Sequence, residues 1–595
     1  MSDLLSLAIS SAGLTKRDKN TSEGRFLSGQ PVEMSADLQR ILDLPQRNWQ
    51  TDYDLDELVQ LMTAHLRKPN GKQTLFPVQA VALLEFADNR RGSVYANVGV
   101  GKTVCAALAP VVLEAKRPLI ITFAKLLNKE QRDFRELAKH WRIPLSQYRY
   151  KSVESIVERK RGSANHVDFL DSYKPDVIIC DEVHAFARTD SARSRRLRRY
   201  LKAYPETVFI GLTGTPGDKS LARVAELQRL SFGKTYSPYP TNNLTMRDFQ
   251  DALDVDVIGR RKPLGALEAF GGKTVEEARQ AVGEHASRVP GNVWLRGSSA
   301  PGSSLYLDAE VIDTCDFSTS KALDSIASGA MPDGRPFEDA LYEHLVTRQV
   351  ALGFSKLLSP SPPKAWRDAR NNWYALCRDI AKRSGAQVES PMQVANLIAR
   401  GELDDMGLLN EWRKQEPSFK ASHVVEWHSL EIIELCAKWL REHKGLVWTP
   451  FPDFGIMLEQ VTGVPFFRNM GNSARHGNIE DWKAGKGAIL SVAANKEGRN
   501  LQRFNENLIV SPLSSSDELN QVLGRTHRFG QEAESVGATF ILAHRENLKS
   551  LLRARERAKF DADLNRDAAN KLLTSDWLIQ DEAYFDKLKS KRWVY

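Results

Sequence analysis

The chain has 595 residues, which is too long for one ordinary hydrophobic core, so three or four domains are expected. Its net charge of +8 is compatible with a polyanionic partner without requiring one. The five cysteines include no Cys-x-x-Cys pair, which argues against a disulfide framework or a zinc ribbon and for a reducing interior. Since no apolar stretch is long enough to span a membrane and no secretory signal opens the chain, the sequence predicts an intracellular protein.

Residues 1–70 mix polar and short apolar segments, and two of these have helical spacing, at 38–44 and 55–66. They predict a small helical preface. A further helix is predicted to open at Pro77, with Gln79 near its start. Because an amide both donates and accepts, Gln79 is expected to read the edge of an adenine base if a nucleotide site follows. The alternative is a surface glutamine at the start of a helix.

A strand, a glycine-containing turn and a helix are predicted over residues 93–103. The pattern fits a phosphate-binding P-loop in its looser form, with Ala96 in place of the first glycine. In such a loop backbone N–H groups wrap the phosphates, and the helix N-terminus adds partial positive charge. Lys102 is expected to reach the β and γ phosphates of ATP, and the Thr103 hydroxyl to hold Mg²⁺. The residues predicted to bind the phosphates are Val98, Gly99, Val100, Gly101, Lys102 and Thr103. An ordinary glycine-rich turn is the alternative.

Continuous apolar runs downstream predict strands buried on both faces, at 118–123, 177–180 and 208–212. Helical segments separate them, which predicts a doubly wound parallel sheet with ligands at the C-terminal ends of its strands. Asp181 and Glu182 follow the second of these runs. Asp181 is expected to bind Mg²⁺, and Glu182 to orient and deprotonate the attacking water. The alternative for such a pair is two surface acids.

The middle of the chain predicts mainly helical structure between residues 321 and 422, with a linker at 359–363 and an exposed strand at 311–317. The basic segment 193–202 is consistent with phosphate contact or with a solvated helix face. A second α/β unit follows. Its predicted strands are 445–450, 488–492 and 508–510.

Arg525 and Arg528 lie three residues apart on a presumed helix, so both side chains project from one face. Planar guanidinium groups suit bidentate contact with a γ-phosphate supplied by another lobe. The sequence around them reads Gly-Arg-x-x-Arg-x-Gly-Gln.

Taken in order, these motifs resemble a superfamily-two helicase-type motor, and specifically its Swi/Snf-like branch, over residues 70–545. The segments that carry the resemblance are 93–103, 119–134, 181–184, 212–216, 344–358, 489–501 and 521–531. The resemblance implies two RecA-like lobes of doubly wound parallel sheet, a helical insertion between them, ATP and Mg²⁺ in the cleft, and duplex DNA across both lobes. The predicted divisions are 1–70 (preface), 71–300 (first lobe), 301–424 (helical connector), 425–545 (second lobe) and 546–595 (charged helical tail).

The resemblance also implies individual roles. Lys102, Asp181, Glu182, Arg525 and Arg528 would be catalytic. Gly498 would contact the nucleotide. The residues that would couple nucleotide state to DNA are His184, Thr213, Thr215 and Gln521. The residues that would contact nucleic acid are Thr122, Lys125, Asn495 and Arg499.

The leading interpretation is an ATP-dependent translocase on duplex DNA that remodels or displaces DNA-bound protein. One alternative is a strand-separating helicase acting on DNA or RNA, and another is a scaffold that uses nucleotide as a switch. A monomeric motor is favoured, with protein partners expected through 1–70 and 546–595. The expected location is the cytoplasm or nucleoid of a prokaryote, or a virus-infected host cell.

Overall fold

The computed structural model describes most of the chain between residues 30 and 577. The described ranges are 30–96, 101–157, 169–187, 191–214, 220–257, 261–294, 303–312, 317–335, 337, 340–359, 362–383, 391–420, 422–483, 485–528, 530–565 and 570–577. Among these residues, no helix is both long enough and apolar enough to cross a membrane.

The first lobe is built on a sheet with six strands in the described ranges, all parallel to their neighbours. The strands are β1 (Gly92–Tyr95), β2 (Pro118–Thr122), β3 (Arg149–Ser152), β4 (Val177–Asp181), β5 (Val208–Thr213) and β6 (Asn292–Trp294). Their spatial order is β3-β2-β4-β5-β1-β6. The apolar runs that predicted β2, β4 and β5 are buried because helices cover both faces of the sheet. The predicted doubly wound parallel sheet is confirmed.

Helices of this first lobe connect the strands and extend beyond them. They are α1 (Ala36–Leu42), α2 (Trp49–Asp52), α3 (Leu55–Leu66), α4 (Pro77–Asn89), α5 (Lys102–Val112), α6 (Leu127–Leu137), α7 (Phe169–Tyr173), α8 (Ala192–Ala203), α9 (Leu221–Phe232), α10 (Asn243–Leu253) and α11 (Val275–Ser287).

The second lobe is built on another parallel sheet, which has seven strands among the described residues. Its strands are β7 (Ser304–Val311), β10 (Leu446–Thr449), β11 (Phe466–Phe467), β12 (Ala488–Ser491), β13 (Glu506–Val510), β14 (Ser535–Leu542) and β15 (Asp576–Trp577). The spatial order is β11-β12-β10-β13-β14-β7-β15. Two separate parallel sheets confirm the predicted two-lobed α/β fold.

Between β7 and β10 lies a largely helical region with an antiparallel pair of strands, β8 (Phe354–Ser359) and β9 (Ser422–Trp427). Its helices are α12 (Phe317–Ala327), α13 (Ala340–Val350), α14 (Lys364–Arg383), α15 (Pro391–Ala399) and α16 (Leu408–Gln415). The remaining helices of the second lobe are α17 (Glu431–His443), α18 (Pro452–Thr462), α19 (Val492–Asn495), α20 (Ser516–Thr526), α21 (Arg545–Asn565) and α22 (Lys571–Thr574).

Strand β7 corrects the predicted connector. Residues 301–424 were expected to be mainly helical, with an exposed strand at 311–317, whereas β7 ends at Val311 and pairs along its whole length with β14. The predicted boundary is wrong here because Leu305 and Leu307 of β7 are buried in the core of the second lobe. Residues 313–316 of the predicted strand lie outside the described ranges. Residues 304–311 therefore belong to the second lobe.

The predicted tail is not a free surface over its described part. Leu548 and Leu551, on the first half of α21, are buried in the core of the second lobe. Phe560 and Leu564, on the second half, are buried in a cluster with first-lobe residues. The helix thus packs on both lobes, and this buried face is excluded as a surface for protein partners. The described part of the preface, from residue 30 onward, also packs on the first lobe, because Leu38 lies in the same cluster.

The contact between α11 and α21 leaves no room for a side chain at Gly283. A Cβ atom there would lie 1.6 Å from the carbonyl oxygen of Leu564. We therefore expect Gly283→Ala to push the helices apart and to cost about 1–3 kcal/mol of stability, as overpacking does. The measurement is the thermal unfolding of the full chain by circular dichroism. An unchanged melting temperature would show that the two helices are not in close contact in solution.

Candidate active site

The predicted phosphate-binding loop joins β1 to α5. Gly101 has a φ of 79°, in the left-handed region that favours glycine, and α5 begins directly after it. Lys102 Nζ donates to the carbonyl oxygen of Ala96 at 2.7 Å. The lysine side chain therefore reaches back to the start of the loop that is predicted to bind the phosphates. Three predicted loop residues lie outside the described ranges, namely Val98, Gly99 and Val100.

Gln79 is buried against the end of this loop. Its Oε1 accepts from the backbone N–H of Phe76 at 2.9 Å, and its Nε2 donates to the Gly101 carbonyl at 3.4 Å. A Cβ at position 101 would come within 2.3 Å of Gln79 Nε2, which is a second reason for glycine there. The structure places Gln79 beside the phosphate-binding loop, and its reading of adenine stays a prediction.

The two predicted acids leave the end of β4. Asp181 ends the strand, and Glu182 follows with a φ of 62°, a strained left-handed conformation for a residue other than glycine. Glu182 Oε2 lies 3.2 Å from His184 Nδ1 and 3.5 Å from Thr213 Oγ1. His184 Nδ1 is also 3.1 Å from Thr213 Oγ1. Two predicted coupling residues therefore contact the predicted base directly, whereas Thr215 lies outside the described ranges.

These carboxyl groups differ in ionisation. Burial, and then the negative charge of Glu182, raises the pKa of Asp181 above its usual range. For Glu182, burial alone would raise the pKa, but the hydrogen bond and charge of His184, with Lys102 and Arg525, hold it below its usual range. Glu182 therefore stays ionised and able to accept a proton, and Asp181 is the carboxyl group that gains most from a cation beside it.

The two predicted arginines of the second lobe do not share a helix, because α20 ends at Thr526, yet both contact one carbonyl group. Arg525 Nη1 donates to the Arg499 carbonyl at 3.1 Å, and Arg528 Nη1 donates to the same oxygen at 3.2 Å. Arg528 Nη1 also donates to Asn500 Oδ1 at 2.8 Å. Burial, and then the charge of Arg528, lowers the pKa of Arg525 to about 10, while the charge of Glu182 opposes this shift. Arg525 thus remains charged at neutral pH in a buried position.

One cavity of about 280 Å³ brings the predicted residues of both lobes together. From the first lobe it is lined by Gly101, Lys102, Thr103, Asp181 and Glu182. From the second lobe it is lined by Gly498, Gln521, Arg525 and Arg528. Residues from distant parts of the sequence therefore form one site between the lobes.

The chemistry of this donor set fits a nucleoside triphosphate with Mg²⁺. The Thr103 hydroxyl and the Asp181 carboxylate are the hard oxygen ligands that Mg²⁺ prefers. Lys102 and the two arginines supply positive charge for the phosphates. Gln521 Oε1 is a buried acceptor in the cavity wall that has no hydrogen-bond partner among the described residues. A bound polar ligand would satisfy it.

Sequence reasoning missed Glu130, which lines the same cavity from α6. Its side chain is buried, and burial, followed by the charge of Asp181, raises its pKa well above the usual range. A signal was present in the sequence, because Glu130 lies four residues before Phe134 and so shares the buried face of α6 with it. Asp133 and Glu497 also line this cavity, so Asp181 and Glu182 are two of its five acids among the described residues.

The lobes also touch at the predicted nucleic-acid residue Lys125. Its Nζ lies 2.5 Å from Glu497 Oε2 of the second lobe. Beside this ion pair, Gly498 has a φ of 73°, and a Cβ there would meet Leu126 Cδ2 at 2.6 Å. Lys125 therefore joins the two lobes in this arrangement, and its predicted contact with nucleic acid would require the ion pair to open.

We expect Glu497→Gln to weaken closure of the lobes, because it removes the charge that attracts Lys125. A partly exposed pair contributes at most about 1 kcal/mol, so the KM for ATP should rise by up to about fivefold. The measurement is steady-state ATP hydrolysis at several salt concentrations. Glu442→Gln is the matched control, since it removes an ion pair within α17 with Lys438. Equal effects of the two variants would contradict a role for the interlobe pair.

Two predicted nucleic-acid residues are corrected. Thr122 and Asn495 are both fully buried. The Asn495 amide donates to the carbonyl groups of Phe467 and Ser491, at 2.8 and 3.0 Å. Buried side chains cannot contact a nucleic acid, so this part of the prediction is wrong.

Two of the other basic residues with a possible phosphate contact are engaged within the protein, whereas Arg195 and Arg199 of α8 are exposed. The Arg499 guanidinium donates to the Met470 carbonyl and lies 3.8 Å from Glu480 Oε2, both in its own lobe. In α8, Arg196 pairs with Asp171 at 3.0 Å. A contact between Arg499 and nucleic acid stays a prediction.

Comparison with known proteins adds a family match to the first lobe. Residues 72–218 match the family model described as Type III restriction enzyme, res subunit. The matched range contains the phosphate-binding loop, Asp181, Glu182 and the end of β5. With the ordered motifs of the second lobe, the match supports a helicase-type ATPase of superfamily two.

Among solved structures, the chain is similar to one described as the Sulfolobus solfataricus SWI2/SNF2 ATPase core in complex with dsDNA. The similarity covers 87% of this chain and 97% of that chain, at 13% sequence identity and a TM-score of 0.29. No curated protein sequence matches the chain.

Proposed function

We propose that the protein is an ATP-dependent motor that translocates along duplex DNA and thereby remodels or displaces DNA-bound protein. The observation that supports this most strongly is the shared cavity, in which acids of the first lobe face arginines of the second. Neither lobe holds a complete site, so hydrolysis requires the lobes to close. A cycle of closing and reopening is what a two-lobed motor needs.

In the proposed reaction a water molecule attacks the γ-phosphorus of ATP, the bond to the β–γ bridging oxygen breaks, and ADP and inorganic phosphate leave. Glu182 accepts the proton of the attacking water. Lys102 offsets charge on the β and γ phosphates, and Arg525 and Arg528 stabilise the charge that develops on the transferred phosphoryl group. Mg²⁺, when held by Thr103 and Asp181, would neutralise further phosphate charge.

The contacts of Glu182 with His184 and Thr213 are proposed to couple the nucleotide state to the binding of DNA. Thr213 ends β5 and contacts Glu182, so a movement of the Glu182 side chain would displace the segment that follows this strand. In the Swi/Snf-like branch that segment includes the position of Thr215, which was predicted to couple nucleotide state to DNA. Gln521 would serve the same purpose from the second lobe, where it lines the cavity.

Duplex DNA as the track is supported by the resemblance of residues 521–531 to the last motif of the Swi/Snf-like branch. The test is displacement of the third strand of a DNA triplex, with a tailed duplex as the companion substrate. We expect ATP-dependent displacement of the third strand and no separation of the duplex. Unwinding of the tailed duplex would favour the strand-separating helicase. Nucleotide binding with neither activity would favour the scaffold.

A further inference from the structure

The helix that carries Arg525, α20, ends two residues before Arg528 and is contacted by the segment 570–577. The Asn570 side-chain amide donates to Ser516 Oγ at 3.1 Å, at the first turn of α20. The backbone N–H of Lys571 donates to Asn520 Oδ1 at 3.0 Å, one turn later. Both contacts fix the position of α20 along its own axis.

A third contact lies at the end of α20, between the two arginines. Lys571 Nζ is 2.9 Å from His527 Nδ1, and His527 Nε2 is 2.8 Å from the Ser303 carbonyl oxygen. An ammonium group can only donate, so Nδ1 is the acceptor, and the neutral ring carries its proton on Nε2 and donates it to Ser303. Burial, and then the charge of Lys571, lowers the pKa of His527 to about 4, which agrees with a neutral ring.

Ser303 lies at the point where the chain enters the second lobe. It directly precedes β7, and the preceding described strand, β6, belongs to the first lobe. The His527 ring therefore connects three parts of the protein: the segment 570–577, the end of α20, and Ser303, which precedes β7.

We propose that Lys571 is a positioning residue for ATP hydrolysis, which fixes Arg525 and Arg528 in the cavity by holding His527. The proposal rests on the proposed function, since it gives Lys571 a part in that reaction. Lys571 does not line the cavity, so it acts through His527 rather than on the phosphates. The arginines flank His527, and a shift of its backbone moves both. A displacement of ~1 Å at a reacting group can cost about 10²-fold in rate.

The test compares full-length variants by steady-state ATP hydrolysis at saturating nucleic acid, with binding of a fluorescent ADP analogue measured in parallel. Lys571→Ala is expected to lower kcat by about tenfold or more, with KM and ADP affinity changed by less than about twofold, because the phosphate-binding loop belongs to the other lobe. Lys571→Arg should restore much of kcat, since a guanidinium group can also donate to Nδ1. Lys559→Ala, an exposed lysine of α21, is the matched control.

A second readout separates positioning from general stability. If Lys571 acts through His527, the double variant Lys571→Ala with His527→Ala should lose no more kcat than the larger single effect. The inference would be overturned if the losses of kcat in the two single variants added up in the double variant. It would also be overturned if KM changed in parallel with kcat, or if the loss of kcat in Lys571→Ala equalled the fraction of unfolded protein. If the wild-type chain hydrolyses ATP and Lys571→Ala keeps the same kcat, the inference about Lys571 is overturned and the proposed function is not. A wild-type chain without ATPase activity would overturn the proposed function as well.

Discussion

Replacing Arg525 by alanine is expected to lower the kcat of ATP hydrolysis by about 10³- to 10⁵-fold, the range found when an arginine is removed from a phosphoryl-transfer site. The guanidinium group is buried, remains charged and lines the cavity opposite Glu182 and Lys102. Nucleotide binding should change little, because the phosphate-binding loop that holds ADP lies in the first lobe.

The measurement pairs kcat with the affinity for a fluorescent ATP analogue. Arg475→Ala, an exposed arginine of the second lobe, is the matched control and should behave as the wild type. If Arg525→Ala lost affinity and kept kcat, the arginine would be a ground-state binding group, and the composite site would be assigned wrongly.

Replacing Glu182 by glutamine is expected to lower the rate of hydrolysis by about 10²- to 10⁴-fold, the contribution of a positioned general base. The amide keeps the size of the side chain but cannot take the proton of the attacking water. Its hydrogen bonds with His184 and Thr213 can still form, so the fold and the affinity for ATP should be retained.

Single-turnover hydrolysis measures this effect, since it isolates the chemical step from product release. Glu206→Gln, which alters an exposed acid of the same lobe, is the matched control. Full activity of Glu182→Gln would mean that another group accepts the proton, and Glu130 would be the first to examine because it lines the same cavity.

The phosphate-binding loop and the two acids could be predicted from the sequence because their signals are local. A short strand, a turn and a helix follow one another at 93–103, and Asp181 directly follows an apolar run. The arginines could be predicted because they lie in one short motif. That these arginines lie beside the acids could be inferred only through the family resemblance, since the two segments are distant in the sequence and come together only in the fold.

What the sequence could not supply depends on tertiary packing. Thr122 and Asn495 lie in the right motifs, but whether a polar side chain faces a ligand or the core depends on neighbours that are remote in sequence. The partners of β7 are β14 and β15, both near the other end of the chain, so the local sequence of 304–311 could not show which sheet it joins. The charged segment 546–595 gave no sign that α21 packs on both lobes.

The measurement that tests the central claim most directly is the rate of ATP hydrolysis with no nucleic acid, with single-stranded DNA, with duplex DNA and with RNA. ATP hydrolysis should be slow without nucleic acid and should be stimulated most by duplex DNA, because DNA bound across both lobes would favour the closed arrangement that completes the active site. Stimulation mainly by RNA would contradict duplex DNA as the track. A rate that no nucleic acid changes would contradict the motor itself.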